Sequence, residues 1–370
     1  MEYRTIPGTD EKVSVIGLGA SYASENLDRI PQIIEMAIDN GINLFDTVMS
    51  VENAFKYYKD GLSNYARKSY KLQMHFGSNY VDNRYCWSRD LETIKKGFDS
   101  QLELLGCEYA DFGLVHCIDT LEDYDNVMNN GLWDYLLSLQ KEGVIKEIGC
   151  STHNPDILRK FIATGKIRLA MFSINMAYDY LNLGNYAIGT LEDRYNLYNE
   201  CEQAGIALTV MKPFAGKRML HADLNSFGEA FSVTQCIQYA LDRPAVVSVL
   251  PGVANINELE GVLAFLYSSE TERDYSKLYS LSEHYFHSGG ECVYCNHCQP
   301  CPVHIDIGLV NKYYDLSRIG DKLADGHYDK LQVKADSCIM CGHCEQVCPF
   351  HVKQMKRMKD ISDYYSKKGL

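Results

Sequence analysis

Eight of the 14 cysteines stand in two runs, Cys292-x-x-Cys295-x-x-Cys298-x-x-Cys301-Pro302 and Cys338-x-x-Cys341-x-x-Cys344-x-x-x-Cys348-Pro349. A Cys-x-x-Cys-x-x-Cys loop can turn three thiolates toward one cubane iron–sulfur cluster, and the fourth cysteine, before proline, reaches the cluster of the other run. The spacing predicts two 4Fe-4S clusters. Cys292, Cys295, Cys298 and Cys348 would hold one, and Cys338, Cys341, Cys344 and Cys301 the other. The runs are not identical, since two residues precede Cys301 where three precede Cys348. Zinc is the plainer alternative, but knuckles of two cysteines leave the third, the fourth and the following prolines unexplained. Disulfides need an oxidising compartment, and the start Met1-Glu2-Tyr3-Arg4 does not read as an export leader. The remaining six, Cys86, Cys107, Cys117, Cys150, Cys201 and Cys236, have no metal spacing and read as small buried hydrophobes.

A second group lies upstream. Asp46, His75, His116 and His153 each stand at the end of a β-rich apolar run. Imidazole titrates near neutrality, so several beside one carboxylate suit an acid–base relay. Converging on one point, they would suit a metal site of histidine and carboxylate ligands. Taken singly, each reads as a polar pocket residue. Tyr57 and Tyr58 read as core or surface. Tyr85 and Trp87, in a long loop after the third run, read as an aromatic pocket wall or as surface packing.

The elements that must position these groups follow one grammar: an amphipathic stretch, a glycine able to cap it in the left-handed conformation, then a short apolar strand. Gly41, Gly106, Gly143, Gly165 and Gly205 are such stops, and Asn154-Pro155 offers an N-cap followed by proline at the first helical position. Strands are expected at 15–18, 42–46, 70–76, 109–117, 145–150, 169–175, 206–211 and 245–250. Eight strands, each followed by a helical segment, predict an α/β fold of the (β/α)8 barrel type over residues 1–275. A doubly wound open sheet is the runner-up, but Gly17-Leu18-Gly19 lacks the third glycine of a dinucleotide fingerprint. Residues 3–15, turning at Pro7-Gly8-Thr9-Asp10, read as a hairpin plugging the barrel bottom.

Composition narrows the partners. A length of 370 residues with 46% hydrophobic content supports a large core plus a small second domain. A net charge of −13 argues against nucleic acid, which requires clustered Lys and Arg. No apolar run approaches a membrane span, so a cytoplasmic protein is expected, and oxygen-sensitive clusters suit an anaerobic host.

Several segments, taken in order, carry a resemblance. They are Val13-Ser14-Val15-Ile16-Gly17-Leu18-Gly19, Gly41-Ile42-Asn43-Leu44-Phe45-Asp46-Thr47, Leu114-Val115-His116, Ile148-Gly149-Cys150-Ser151-Thr152-His153, Met211-Lys212-Pro213-Phe214 and Leu250-Pro251-Gly252. With them the chain resembles the aldo-keto reductases, and with its cysteine tail the branch bearing a C-terminal ferredoxin-like domain, here residues 276–370. The resemblance implies a barrel whose strand ends hold NAD(P)H and a carbonyl substrate. It also implies catalysis by an Asp, a Tyr, a Lys and a His, in which the Tyr protonates the carbonyl oxygen and the Lys–Asp pair lowers its pKa. Asp46 and His116 match two of these. Val51 stands where the Tyr belongs, and the strand that should deliver Lys ends Leu72-Gln73-Met74-His75. Met171 replaces the expected nicotinamide-binding Gln, and Gly261-Val262 the later Glu-Asn, while Ser151, Thr152, Asn175 and Lys212 remain at cofactor positions.

These readings predict an iron–sulfur oxidoreductase acting on a small carbonyl, polyol or sugar-like molecule. Asp46, His75 and His116 would handle protons, and an electron-transfer partner such as ferredoxin or flavodoxin would serve the clusters. The alternatives are a metal-assisted lyase or hydrolase with structural clusters, and a pseudoenzyme electron carrier.

Overall fold

The structure, a computed structural model, describes residues 1–21, 26–181, 187–284, 292, 294, 296, 298–318, 320–348 and 352–370. An antiparallel hairpin of β1 (Tyr3–Thr5) and β2 (Lys12–Ser14) comes first. It is followed by β3 (Leu18–Gly19), β4 (Leu44–Asp46), β5 (Lys71–Phe76), β6 (Ser78–Val81), β7 (Arg84–Trp87) and β8 (Ala110–Val115). Then come β9 (Ile145–Thr152), β10 (Leu169–Ser173), β11 (Ala207–Met211) and β12 (Val246–Val249). Parallel pairing runs β3-β4-β5-β8-β9-β10-β11-β12, and parallel bridges from Ile16 to Val249 and from Gly19 to Gly252 bring the last strand back to the first. With helices between the strands, this nearly closed ring is the expected (β/α)8 barrel. Closure depends on Gly17, where a Cβ would meet the Leu250 side chain and lie 2.8 Å from the Leu44 carbonyl oxygen.

Barrel strands are covered on both sides, and β5 and β8 are buried along their whole length. Alternation sorts their side chains: Leu72, Met74 and Phe76 pack into the layer beneath the helices, so Gln73 and His75 take the inner face. Ile6 and Val13 of the N-terminal hairpin pack inside the ring among Phe112, Leu114, Leu169 and Val247. The hairpin therefore stops the bottom as expected, each such side chain contributing about 1.5–3 kcal/mol of burial. Helix ends match their sequence signals. Gly106 and Gly143 cap helices Leu91–Leu105 and Leu132–Glu142 at φ 66° and 78°, where a Cβ would be strained. Asn154 accepts from Asp156 N–H at the start of helix Pro155–Ala163.

Two features differ from expectation. The first barrel strand is only Leu18–Gly19, with Ile16 joined by a single bridge. The segment after the third barrel strand is an antiparallel hairpin, β6–β7, rather than a loop. Its turn residues Asp82 and Asn83 both have positive φ, 51° and 62°, the backbone twist that suits a two-residue hairpin.

The C-terminal helices roof the barrel mouth. Gly326, in helix Lys322–Asp329, fits so closely that a Cβ there would lie 3.1 Å from both Cδ1 and the carbonyl oxygen of Tyr85. His327 stacks on Tyr313 of helix Ile307–Arg318, ring centres 5.5 Å apart, and lies 5.7 Å from the Tyr85 ring. No described helix is long and apolar enough to cross a membrane.

Candidate active site and cluster domain

Four side chains at the barrel mouth form one hydrogen-bonded row. Asp46 closes β4, and its Oδ2 accepts from Gln73 Nε2 at 2.8 Å and contacts His75 Nε2 at 2.7 Å. Gln73 is oriented in turn by Thr209, whose hydroxyl donates to Gln73 Oε1 at 3.1 Å. His75 Nδ1 meets His116 Nδ1 at 3.1 Å, and His116 Nε2 meets the Tyr85 hydroxyl at 2.7 Å. All four side chains are buried, yet each borders a cavity of about 130 Å³.

With neutral imidazoles and an ionised Asp46, the donors and acceptors leave one set of resting tautomers. Asp46 taken as a carboxylate only accepts, so His75 donates from Nε2, and a neutral His75 then presents a bare Nδ1. His116 must then donate from Nδ1. Burial, followed by the proximity of His75, holds the His116 pKa well below 6.5, so its Nε2 is a bare acceptor. Tyr85 therefore donates to it. Every proton in the row points toward Asp46, and the Tyr85 oxygen keeps its lone pairs for whatever occupies the cavity.

Tyr85 reaches this position because the hairpin packs on the loop after β4. Tyr80 O–H donates to the Met49 carbonyl and accepts from Met49 N–H, both at 3.0 Å, and Tyr85 N–H donates to the Ser50 carbonyl at 3.3 Å. That loop carries Val51, and the hairpin packed on it brings Tyr85 to the cavity. Of the two expectations for Tyr85, pocket wall or surface packing, the structure shows the wall, and its contact with His116 is not indicated by the sequence. The Asp82-Asn83 turn between two alternating runs was the signal that could have revealed the hairpin.

His153 belongs to a different group. Its Nδ1 and backbone N–H bond the two oxygens of Asp119 at 2.9 and 2.6 Å, and Cys117 Sγ lies 3.7 Å from the same carboxylate. The three donor atoms fall within 4.8 Å of one another, but His75 and His116 are not among them. Burial pushes His153 down to about 4 against the pull of Asp119. Burial would raise the Asp119 carboxyl, yet His153 and then Lys312 outweigh it and hold it well below the carboxylate range. Lys212, at the end of β11 with φ 57°, lines the cavity, and burial lowers its pKa. From the roof, Asp321 and His327 line the same cavity, and burial, with Lys212 next, pushes His327 down to about 3.

Of the residues expected to hold a dinucleotide, Ser151 and Lys212 border the cavity. Thr152 is instead bonded to Asp119 at 3.1 Å. Asn175 caps helix Met176–Tyr180 and donates to the Lys212 carbonyl at 2.9 Å. Met171 lines the cavity with a thioether where an amide was wanted. This set fits a dinucleotide poorly.

The cysteine runs fit clusters better. Cys298, Cys301, Cys338, Cys341 and Cys344 border one apolar hollow, which brings Cys301 of the first run to the first three cysteines of the second. The described cysteines form no disulfides. Left-handed φ at Tyr294 (59°), Asn296 (57°) and Met340 (55°) tightens the loops between the thiols. Cys292 faces a separate hollow beside Tyr294, Lys312 and Leu316, and Cys348 is buried. Cys295 lies outside the described residues.

The Aldo/keto reductase family matches residues 16–227, and a 4Fe-4S dicluster domain matches residues 289–352. Over 303 residues the chain is 22% identical to the uncharacterized oxidoreductase YqkF of Bacillus subtilis, a match covering 76% of this chain and 96% of that protein. It is 23% identical over 198 residues to the chloroplastic pyridoxal reductase of Arabidopsis thaliana, 52% of each. The solved aldo-keto reductase AKR11C1 from Bacillus halodurans, in its holo form, shares the fold with a TM-score of 0.61 at 18% identity, over 76% of this chain and 96% of that one. The chain thus belongs to the aldo/keto reductase family, as an oxidoreductase of that type with a C-terminal 4Fe-4S dicluster domain.

Proposed function

We propose that this protein exchanges electrons between two iron–sulfur clusters and a small carbonyl, polyol or sugar-like molecule in the barrel-mouth cavity, with Tyr85, His116, His75 and Asp46 handling the proton. The observation that carries this reading is the hydrogen-bonded row that ends at the cavity in the Tyr85 hydroxyl. Cys292, Cys295, Cys298 and Cys348 would hold one cluster and Cys338, Cys341, Cys344 and Cys301 the other, and bound 4Fe-4S clusters supply one-electron transfers.

The resting tautomers make the row a proton acceptor. A substrate hydroxyl placed at Tyr85 gives its proton to the phenol oxygen as the phenol proton passes to His116 Nε2. The His116 Nδ1 proton then passes to His75 Nδ1. The added charge comes to rest as an imidazolium on His75 against the Asp46 carboxylate, with Gln73 holding that carboxylate in place. Loaded in this way, the row runs backward and protonates an alkoxide formed by carbonyl reduction. Carbonyl and alcohol differ by two electrons and two protons: the two clusters would supply or take one electron each, the row handles the proton on oxygen, and Lys212, which lines the same cavity and whose pKa burial lowers, would give or take the proton on carbon. Met171, Leu316 and Leu323 give the cavity an apolar wall.

The test is a single turnover. Anaerobic protein carrying about eight irons is reduced, separated from reductant and mixed with a panel of small carbonyls, while cluster oxidation and alcohol formation are followed together. Alcohol formed in step with cluster oxidation supports the reading. Zinc in place of iron, or NADPH turnover that leaves the clusters unchanged, would defeat it.

A further inference from the structure

Gln354 points an N–H at a cluster cysteine, and a polar chain fixes its direction. Gln354 Nε2 lies 3.4 Å from Cys292 Sγ. The same amide's Oε1 accepts from Asn311 Nδ2 at 2.9 Å, and Asn311 Nδ2 also donates to the Ile307 carbonyl at 2.7 Å. Asn311 Oδ1 accepts from Arg357, which also pairs with Asp315. A guanidinium can only donate, so Asn311 must turn its oxygen to Arg357 and its nitrogen to Gln354. Gln354 must then turn its oxygen to Asn311 and its nitrogen to the sulfur. Flipping either amide would set two donors face to face. Gln354 and Asn311 are 1% and 0% exposed, so water is not available to repair such a flip.

An N–H directed at a ligating thiolate withdraws charge from the cluster and favours its reduced, more negative state. At the other cysteine set the nearby charge has the opposite sign, with Glu345 beside Cys344. Cys292 is also the cysteine on the barrel side, because Leu316 borders both its hollow and the barrel-mouth cavity.

We propose that Gln354 is a positioning residue that raises the reduction potential of the cluster bound through Cys292, the one facing the substrate cavity. The inference rests on the reading of Cys292 as a cluster ligand. Electrons delivered to the domain then collect next to the cavity rather than at the outer cysteines, where Cys341 is exposed.

The experiment is a potentiometric titration followed by EPR on anaerobic full-length protein, comparing wild type with Gln354→Leu and the isosteric Gln354→Glu. Cys292→Ala and Cys301→Ala assign each signal to its cysteine set. In both Gln354 variants iron content should stay at the wild-type level and one midpoint should fall. At the wild-type midpoint the reduced-to-oxidised ratio of that cluster should drop up to about tenfold, or about 59 mV for a one-electron couple. The second midpoint should not move. In the wild type, an exchangeable proton coupling lost in deuterium oxide and absent from Gln354→Leu should report the N–H itself, so the test survives if one variant loses its cluster. Two unmoved midpoints in iron-replete variants overturn the proposal, as does a shift in the signal removed by Cys301→Ala. A wild-type protein without iron would instead overturn the cluster reading beneath it.

Discussion

The Tyr85 hydroxyl and His116 Nε2 meet at 2.7 Å although they arrive from different layers, Tyr85 on a hairpin outside the ring and His116 at the end of a barrel strand. The contact makes Tyr85 the candidate proton donor and acceptor. Tyr85→Phe should lower turnover roughly 10²–10⁴-fold, the usual range for loss of a general acid or base. Iron content and cooperative unfolding should persist, at a cost of about 1–3 kcal/mol for the bare His116 nitrogen. Activity within a few-fold of wild type would remove Tyr85 from the mechanism.

His75 is bonded to Asp46 at 2.7 Å, and in the proposed proton path this pair is where the added charge rests. His75→Ala should abolish turnover and spare the clusters, as measured by rate against iron content. His75→Lys separates two roles. A lysine ammonium can pair with Asp46 but has no second ring nitrogen to take a proton from His116. Full activity in that variant would mean that a fixed positive charge suffices.

The pH dependence has a definite sign. Burial depresses the His116 pKa, so its neutral form persists as pH falls, and any acid limb of kcat that comes from His116 should lie well below 6.5, which a pH–rate profile of wild type against a His116→Asn variant checks. Stability follows another route. His153 and His327 bind protons at about 4 and about 3 in the folded chain, against about 6.5 when unfolded. Between those values the unfolded chain holds more protons, so stability should fall as pH drops below about 6.5. Denaturant midpoints at several pH values would check this, and a flat profile would mean that one or both imidazoles are exposed in solution.

Cys301 shares a hollow with Cys338, Cys341 and Cys344, and Cys298, expected on the other cluster, borders it too. On the crossover of fourth ligands, Cys301→Ala should remove the EPR signal also lost in Cys341→Ala, while Cys348→Ala removes the one lost in Cys292→Ala. Loss confined within each run would reverse the pairing.

The barrel was legible because its signals are local. Gly106 and Gly143 announce helix ends, and the inward-facing members of β5 follow from alternation alone. The meeting of Asp46, His75 and His116 in one pocket was legible for the same reason, each standing at or beside a strand end. Tyr85 was not, since its partner lies across a hairpin whose packing depends on Tyr80 meeting the Met49 backbone. The roof was equally hidden, because nothing in Asp321 or His327 as residue types indicates which cavity they border. Contacts of this kind depend on the assembled surfaces, and a linear pattern does not encode them.

The close fit of Gly326 on Tyr85 has a consequence for the engineering of this protein. A domain appended only to ferry charge could be exchanged for another carrier without disturbing the catalytic chemistry. Here the tail rests on the Tyr85 ring itself, so under the proposed proton path a chimera carrying a foreign tail would leave that phenol without its support and should lose turnover even with its clusters filled.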